Sequence, residues 1–353
     1  MPRHLLWLLC AGCMLVAVVL CAPAVLQADD PLPPAAFEMV MTLENVNHPH
    51  KAVFNGLRQG NPVIVVTDTR NHCIKEWVAG SGEGTTVLAG TCGTAGDTLG
   101  NSPGETLLNT PVSAIVADYK LYIADTGNHR ILASELDAIV QIQPFDAEQQ
   151  LPVDIDAPLD LAVYEDAMYV ADGGAHRVLG IDIASGDVLV QLGTGEPGYN
   201  EENIGITDQP LNRPAGLAAY ATTGGNLFLY VLEAGNRLVR EYSPADGVLR
   251  PRVGDPWSVP QVWPPHMTPA ALLAFKRPFR ISVNNNLTGM IITDPAARRV
   301  WIRSAEGFVF PLELPFLAED TPTYSAEYDA SGENLVTTHP DMVVWWRRVV
   351  PQD

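Results

Sequence analysis

Basic residues are scarce in this chain. Its 353 residues hold 21 Lys and Arg against 41 Asp and Glu, a formal charge of −20. A surface of that sign repels backbone phosphates, which excludes nucleic acid as a partner. Beyond the first apolar stretch only two cysteines occur, Cys73 and Cys92. No segment carries the 3.6-residue period of a long amphipathic helix; the apolar runs are short and end at Gly, Pro, Asn or Asp. No run after Leu26 is long enough to span a bilayer. A phosphate loop of the Gly-x-x-x-x-Gly-Lys type is missing as well.

Turn formers are plentiful, with Gly and Pro at 29 each beside β-branched runs, the composition of an all-β chain. The N-terminus reads as an export signal: Arg3 and His4, apolar residues from Leu5 to Leu26, then Asp29 and Asp30, with small-residue cleavage points after Ala24 and Ala28. The run exceeds the usual signal core, so an uncleaved anchor through residues 5–26 stands beside a cleaved peptide. Basic residues ahead of the run place the body outside the cytosol in either case. The boundaries follow as 1–28 signal peptide or signal anchor, 29–36 linker and 37–353 folded body. In an oxidising compartment Cys73 and Cys92 either form one bridge or stay as two buried thiols. Asn286-Leu287-Thr288 is a glycosylation sequon.

An internal repeat governs the body. Tyr122-Ile123-Ala124-Asp125-Thr126-Gly127-Asn128-His129-Arg130-Ile131 aligns without a gap to Tyr169-Val170-Ala171-Asp172-Gly173-Gly174-Ala175-His176-Arg177-Val178. Further copies centre on Asp68, Glu233 and Asp294, and the weakest runs through Val336-Thr337-Thr338-His339. A proline opens an apolar strand ahead of each marker: Pro49, Pro111, Pro158, Pro214, Pro278 and Pro322. Proline suits a strand start because it has no N–H to offer the ladder. The period leaves room for four short strands per unit, which indicates propeller blades. The orphan segment Phe37–Leu43 is expected to become the outer strand of the last blade and close the ring.

These units resemble the NHL repeat, most closely at Asp125 to Arg130 and at Asp172 to Arg177. The resemblance implies a six-bladed, all-β propeller over 37–353. It also brings two functional comparisons, because such propellers are similar to a metal-dependent lyase of peptidyl-α-hydroxyglycine and to lactonase-like hydrolases. Zinc or calcium is expected only if the chain is such an enzyme; otherwise no cofactor is expected.

Ring symmetry holds equivalent residues apart. Asp68, Asp125, Asp172, Glu233 and Asp294 are therefore expected to cap the turn that follows each of them, where Gly and Asn tolerate left-handed backbone. His72, His129 and His176 are expected to serve the blades rather than to gather round a metal. The innermost strands converge on the axis, and the residues two past each proline are Lys51, Ser113, Asp160, Gly216, Arg280 and Tyr324. Lys51, Asp160, Arg280 and Tyr324 form either a seat for an anionic or zwitterionic ligand or a salt-bridged plug. His50 and His266 are the candidate metal ligands. The apolar loop from Trp257 to Thr268, with Trp263, and the tail with Trp345 and Trp346 suit either a partner interface or packing between blades. The expected partner is an extracellular or lumenal protein, peptide or small ligand, bound by a noncatalytic module in the first reading and transformed by an axial-site enzyme in the second.

Overall fold

A computed structural model of the chain describes residues 36–200, 206, 208–257, 268–284, 289–304, 307–315, 317 and 321–349. The leader, His266, Asn286 and Trp263 lie outside the described residues. Six antiparallel sheets follow one another along the chain, so the six-bladed propeller anticipated from the repeat is the fold observed. The innermost strands are Lys51–Arg58, Ser113–Ala117, Pro158–Tyr164, Pro214–Ala221, Arg280–Asn284 and Ser325–Tyr328. Each packs against the innermost strand of the next blade, and the last packs against the first.

Ring closure takes the expected form. Ala36–Leu43, which begins one residue earlier than anticipated, pairs antiparallel with Val343–Val349 and completes blade six. The pairing sets Met39 opposite Trp346 and is interrupted by a bulge before Met41. Blade five departs from the four-strand plan, because the two-residue strand Thr268–Pro269 pairs with Phe308–Pro311 and makes a fifth.

The second strand of each blade explains why the repeat is so apolar. In blade one Val63, Ile64, Val65 and Val66 are all buried, since neighbouring blades cover both faces of the sheet. Alternation then sends successive residues to different interfaces. Ile64 and Val66 pack with Val336, Val343 and Trp345 of blade six, while Val65 packs with Ala114 and Ile123 of blade two. Trp345 and Trp346 are thus interior residues, whereas Trp257 is 72% exposed.

Cys73, at the start of the third strand of blade one, is bridged to Cys92 in the loop after the fourth, with Cα atoms 5.1 Å apart. Of the two readings of this pair, the bridge is the one formed. Closing a loop of this length removes chain entropy worth about 3 kcal/mol.

Candidate ligand site at the hub

The proline that opens each blade sets three tiers of residues around the axis. In four blades the residue two past it pairs with the residue before the marker: Lys51 with Thr67, Ser113 with Ala124, Asp160 with Ala171 and Gly216 with Leu232. Arg280 pairs with Thr293 in the same way. Blade six is one residue out of step. Ser325, not Tyr324, pairs with Thr338. Tyr324 instead donates its N–H to Thr338 O, as His50 does to Thr67 O, Val112 to Ala124 O and Phe279 to Thr293 O. Tyr324 therefore leaves the expected hub set and joins a collar above it, because Thr323 adds a residue after Pro322.

At the hub Lys51 and Asp160 satisfy each other. Both oxygens of the fully buried Asp160 are occupied: Oδ1 accepts from Lys51 Nζ at 2.7 Å, Ser113 Oγ at 2.7 Å and its neighbour Leu161 N–H, and Oδ2 accepts from Leu217 N–H at 3.0 Å. One carboxylate thus ties four blades. Burial alone would raise its pKa, but Lys51, Arg280 and these bonds outweigh burial and hold it below the usual carboxylate range. Arg280 donates to the carbonyls of collar residues from four blades: Ala215, Phe279, Val112 and Leu159. Its guanidinium lies 4.1 Å from the Phe279 ring centre. Lys51 and Asp160 form the ion pair of a plug, which Arg280 joins through backbone carbonyls with its buried Nε left without a partner.

Two residues past Ser325 on the same innermost strand is Glu327, which the repeat gave no reason to single out. Its carboxyl makes no hydrogen bond among the described residues, and burial pushes its pKa up to about 7, with Lys51 opposing and Asp160 reinforcing the shift. The folded state then keeps a proton that the unfolded chain releases near 4.5, so this group's contribution to stability falls as pH rises from about 4.5 to 7. Glu327→Gln removes that penalty. The variant is expected to match the parent at pH 4.5 and to exceed it at pH 8 by at most about 3 kcal/mol. Urea titrations at both values check this, and an equal difference at the two pH values would refute it.

Above the plug the collar is aromatic on one side. His50 lies between Phe279 and Tyr324, with ring centres 5.2 Å from each, and His48 stacks on Tyr324 at 6.0 Å. Burial, then the charges of Arg280, His48 and Arg70, lower the His50 pKa to about 3, so its ring is neutral at pH 7. Its Nδ1 is buried without a partner. These rings floor a cavity of about 400 Å³ whose wall includes His50, Arg213, Arg277, Phe279, Pro322 and Tyr324. Among the described residues no acidic side chain lines it. Arg213 and Arg277 directly precede Pro214 and Pro278, and so make a third tier, the rim.

The markers do a second job beside the one expected. Asp68 Oδ1 accepts the N–H of Asn47, Asp125 that of Asn109, Asp172 those of Asp156 and Ala157, Glu233 that of Asn212 and Asp294 those of Lys276 and Arg277. Each marker thus holds the segment entering its own blade, and Asp68, Asp125 and Glu233 also accept from the side-chain amide of the turn residues Asn71, Asn128 and Asn236. Asp294 takes a backbone N–H from that turn, from Ala297. The cause is the antiparallel pairing of the first two strands, which brings the entry segment back beside the marker. The left-handed residue of the turn is the histidine, with φ of 57° at His72, 55° at His129 and 50° at His176. Gly127 is needed instead for closeness, since a Cβ there would meet Asn109 O at 2.6 Å. His72 Nδ1 accepts the N–H of Thr110, and His176 Nδ1 that of Arg213, each linking one blade to the next. His129 meets Asp156 O in the following blade.

Blade six inverts this polarity. His339 replaces the carboxylate, its Nδ1–H can only donate to Pro322 O, and its Nε2 therefore accepts from Thr337 Oγ1 at 2.8 Å. Burial lowers its pKa to about 4, which suits that neutral tautomer.

Among the described residues no three of His, Cys, Asp or Glu converge on one point. His50 has aromatic rings on two sides, and both oxygens of Asp160 are taken.

No protein-family model matches the sequence, and none of the curated proteins matches it. Solved structures do share the fold. A gluconolactonase from Xanthomonas campestris is 15% identical with a TM-score of 0.56, over 90% of this chain and 95% of that one. A catalytically inactive virginiamycin B lyase from Staphylococcus aureus, solved with quinupristin, is 12% identical with a TM-score of 0.52, over 89% of this chain and 100% of that one. The fold of this chain is similar to theirs: a six-bladed β-propeller.

Proposed function

We propose that the chain is an exported propeller of the NHL type that binds a ligand in the cavity above its hub without transforming it. The observation that carries this reading is the state of the titratable groups there. Asp160 and Lys51 are spent on each other, and His50, with its pKa near 3, is a weak general base at neutral pH. What remains is a concave, mostly apolar seat with a few convergent polar groups, the usual make-up of a binding pocket. Export is supported by the leader pattern and by the Cys73–Cys92 bridge, which belongs to an oxidising compartment. Outside the cytosol, Asn286 would carry a glycan, and an uncleaved leader would tether the propeller to a membrane.

A second reading, a lactonase-like hydrolase or a lyase, draws on the likeness of fold to the gluconolactonase and the virginiamycin B lyase, and on Glu327. A carboxyl with pKa near 7 is suited to proton transfer. Fold alone does not decide between them.

The deciding experiment combines binding and turnover. Calorimetry is expected to find saturable binding of a neutral aromatic probe such as 4-phenylbutanamide, abolished by Ala296→Trp, which fills the cavity. Gluconolactone and phenyl acetate are expected to hydrolyse no faster than in buffer, with or without zinc or calcium. Hydrolysis above that rate, lost in Glu327→Gln, would establish the enzyme reading instead.

A further inference from the structure

We infer that the cavity takes an amphipathic anion: one carboxylate, sulfonate or sulfate carried on an apolar, ring-sized body. The inference rests on the cavity being the ligand seat and adds the class of ligand.

Cations are the scarce resource of this chain, 21 against 41 acids. Several of those around the blades have carboxylate partners. Arg130, Arg177 and Arg240 are bonded to the markers Asp125, Asp172 and Glu233, and Arg58, Arg250 and Arg252 pair with Glu76, Asp246 and Glu241. The two arginines of the rim have none. Arg213 and Arg277 line the cavity, and among the described residues neither guanidinium has an acid or a hydrogen-bond acceptor. A third cation, Arg70, lies near enough for its charge to act on His48, His50 and Tyr324, and it too lacks a partner there. All three side chains are exposed and need no protein partner to be tolerated. In a molecule of net charge −20, this opening gathers three cations, with Asp341 the acid near enough to act on His48.

The walls decide the remainder of the ligand. Pro278, Pro295 and Pro322 have no N–H to present, and Phe279 offers a ring face. Polar contact is therefore left to Arg213, Arg277, His50 and Tyr324. A planar guanidinium grips a carboxylate or sulfonate through two parallel hydrogen bonds. The apolar body would lie against Phe279 and the prolines, and a volume of about 400 Å³ suits a group of one or two rings.

The test compares 4-phenylbutyrate with its uncharged isostere 4-phenylbutanamide by calorimetry, with inorganic phosphate as the bare anion. The acid is expected to bind about tenfold tighter than the amide at low salt, with the margin shrinking as ionic strength rises. Arg213→Ala and Arg277→Ala are each expected to lower the acid-to-amide ratio about fivefold, and Arg→Lys at either site to recover part of it. Both positions are exposed, so the variants are expected to fold as the parent does. Equal affinity for acid and amide would leave the seat in place and overturn the anion. Phosphate binding as tightly as the acid would overturn the apolar body. Failure of both phenyl probes would remove the seat itself.

Discussion

Asp160→Ala is expected to cost about 5 kcal/mol, most of the margin a domain of this kind has to lose. The substitution leaves the Lys51 ammonium buried without its acid, removes the counter-charge of Arg280, and strips an acceptor from Ser113 Oγ and from the N–H groups of Leu161 and Leu217. An orphaned buried charge is far more damaging than the loss of a whole pair. The double variant Lys51→Met/Asp160→Leu is therefore expected to regain at least about half of the loss, since Arg280 keeps its four carbonyls. Urea unfolding at pH 7 measures both. A single variant within about 0.5 kcal/mol of the parent would mean that the plug contributes nothing to holding the blades together.

Glu233→Ala is the second large effect, at about 4 kcal/mol. Glu233 is fully buried and Arg240 is 1% exposed, with bonds from Arg240 Nε and, at 2.9 Å, from its Nη2. The carboxylate also accepts from Asn212 N–H and from the Asn236 amide. Removing it strands a guanidinium that nothing else neutralises, although Gln209 and the Pro210 carbonyl still accept from it. Replacing Arg240 by Met alongside is expected to soften the loss. The contrast is Asp294, which accepts only backbone N–H groups among the described residues and whose pKa burial raises. Asp294→Asn is expected to cost about 1 kcal/mol, the worth of hydrogen bonds rather than of a buried charge. Denaturant midpoints for the two variants would expose a wrong assignment, because equal losses would show that the arginine is incidental.

The contrast between these markers shows where sequence was readable. The Asp-Thr-Gly-Asn-His-Arg tract recurs because every blade must anchor its entry segment, so architecture was visible as repetition. In blades one and four the cation is two residues later, at Lys75 and Arg240, on the same face of the strand. The charge is kept while the letter pattern is lost, and such copies look worn. That the carboxylates also hold the entry segment was not legible, because that backbone is near the marker in space and remote from it in sequence. The tier two past the proline was legible up to the point where Thr323 shifted blade six by one, which exchanged Tyr324 for Ser325.

The cavity was harder to foresee. Its rim comes from the residues just before two prolines, Arg213 and Arg277, and its collar from those just after, such as His50 and Phe279. Reading each proline with both neighbours would have exposed that grouping. Glu327 had no such signal. Its environment is set by Lys51 and Asp160, which only the closed ring brings near it.

The pairing of Ala36–Leu43 with Val343–Val349 also has a consequence for biogenesis. The first strand made must wait for almost the last one before it has a neighbour, so no earlier stage of synthesis offers it a home. A message truncated before codon 343 would yield an arc with two raw rims, not a smaller wheel, and such rims invite chain-to-chain pairing. Among the described strands, completion of the sixth blade therefore waits on Val343–Val349.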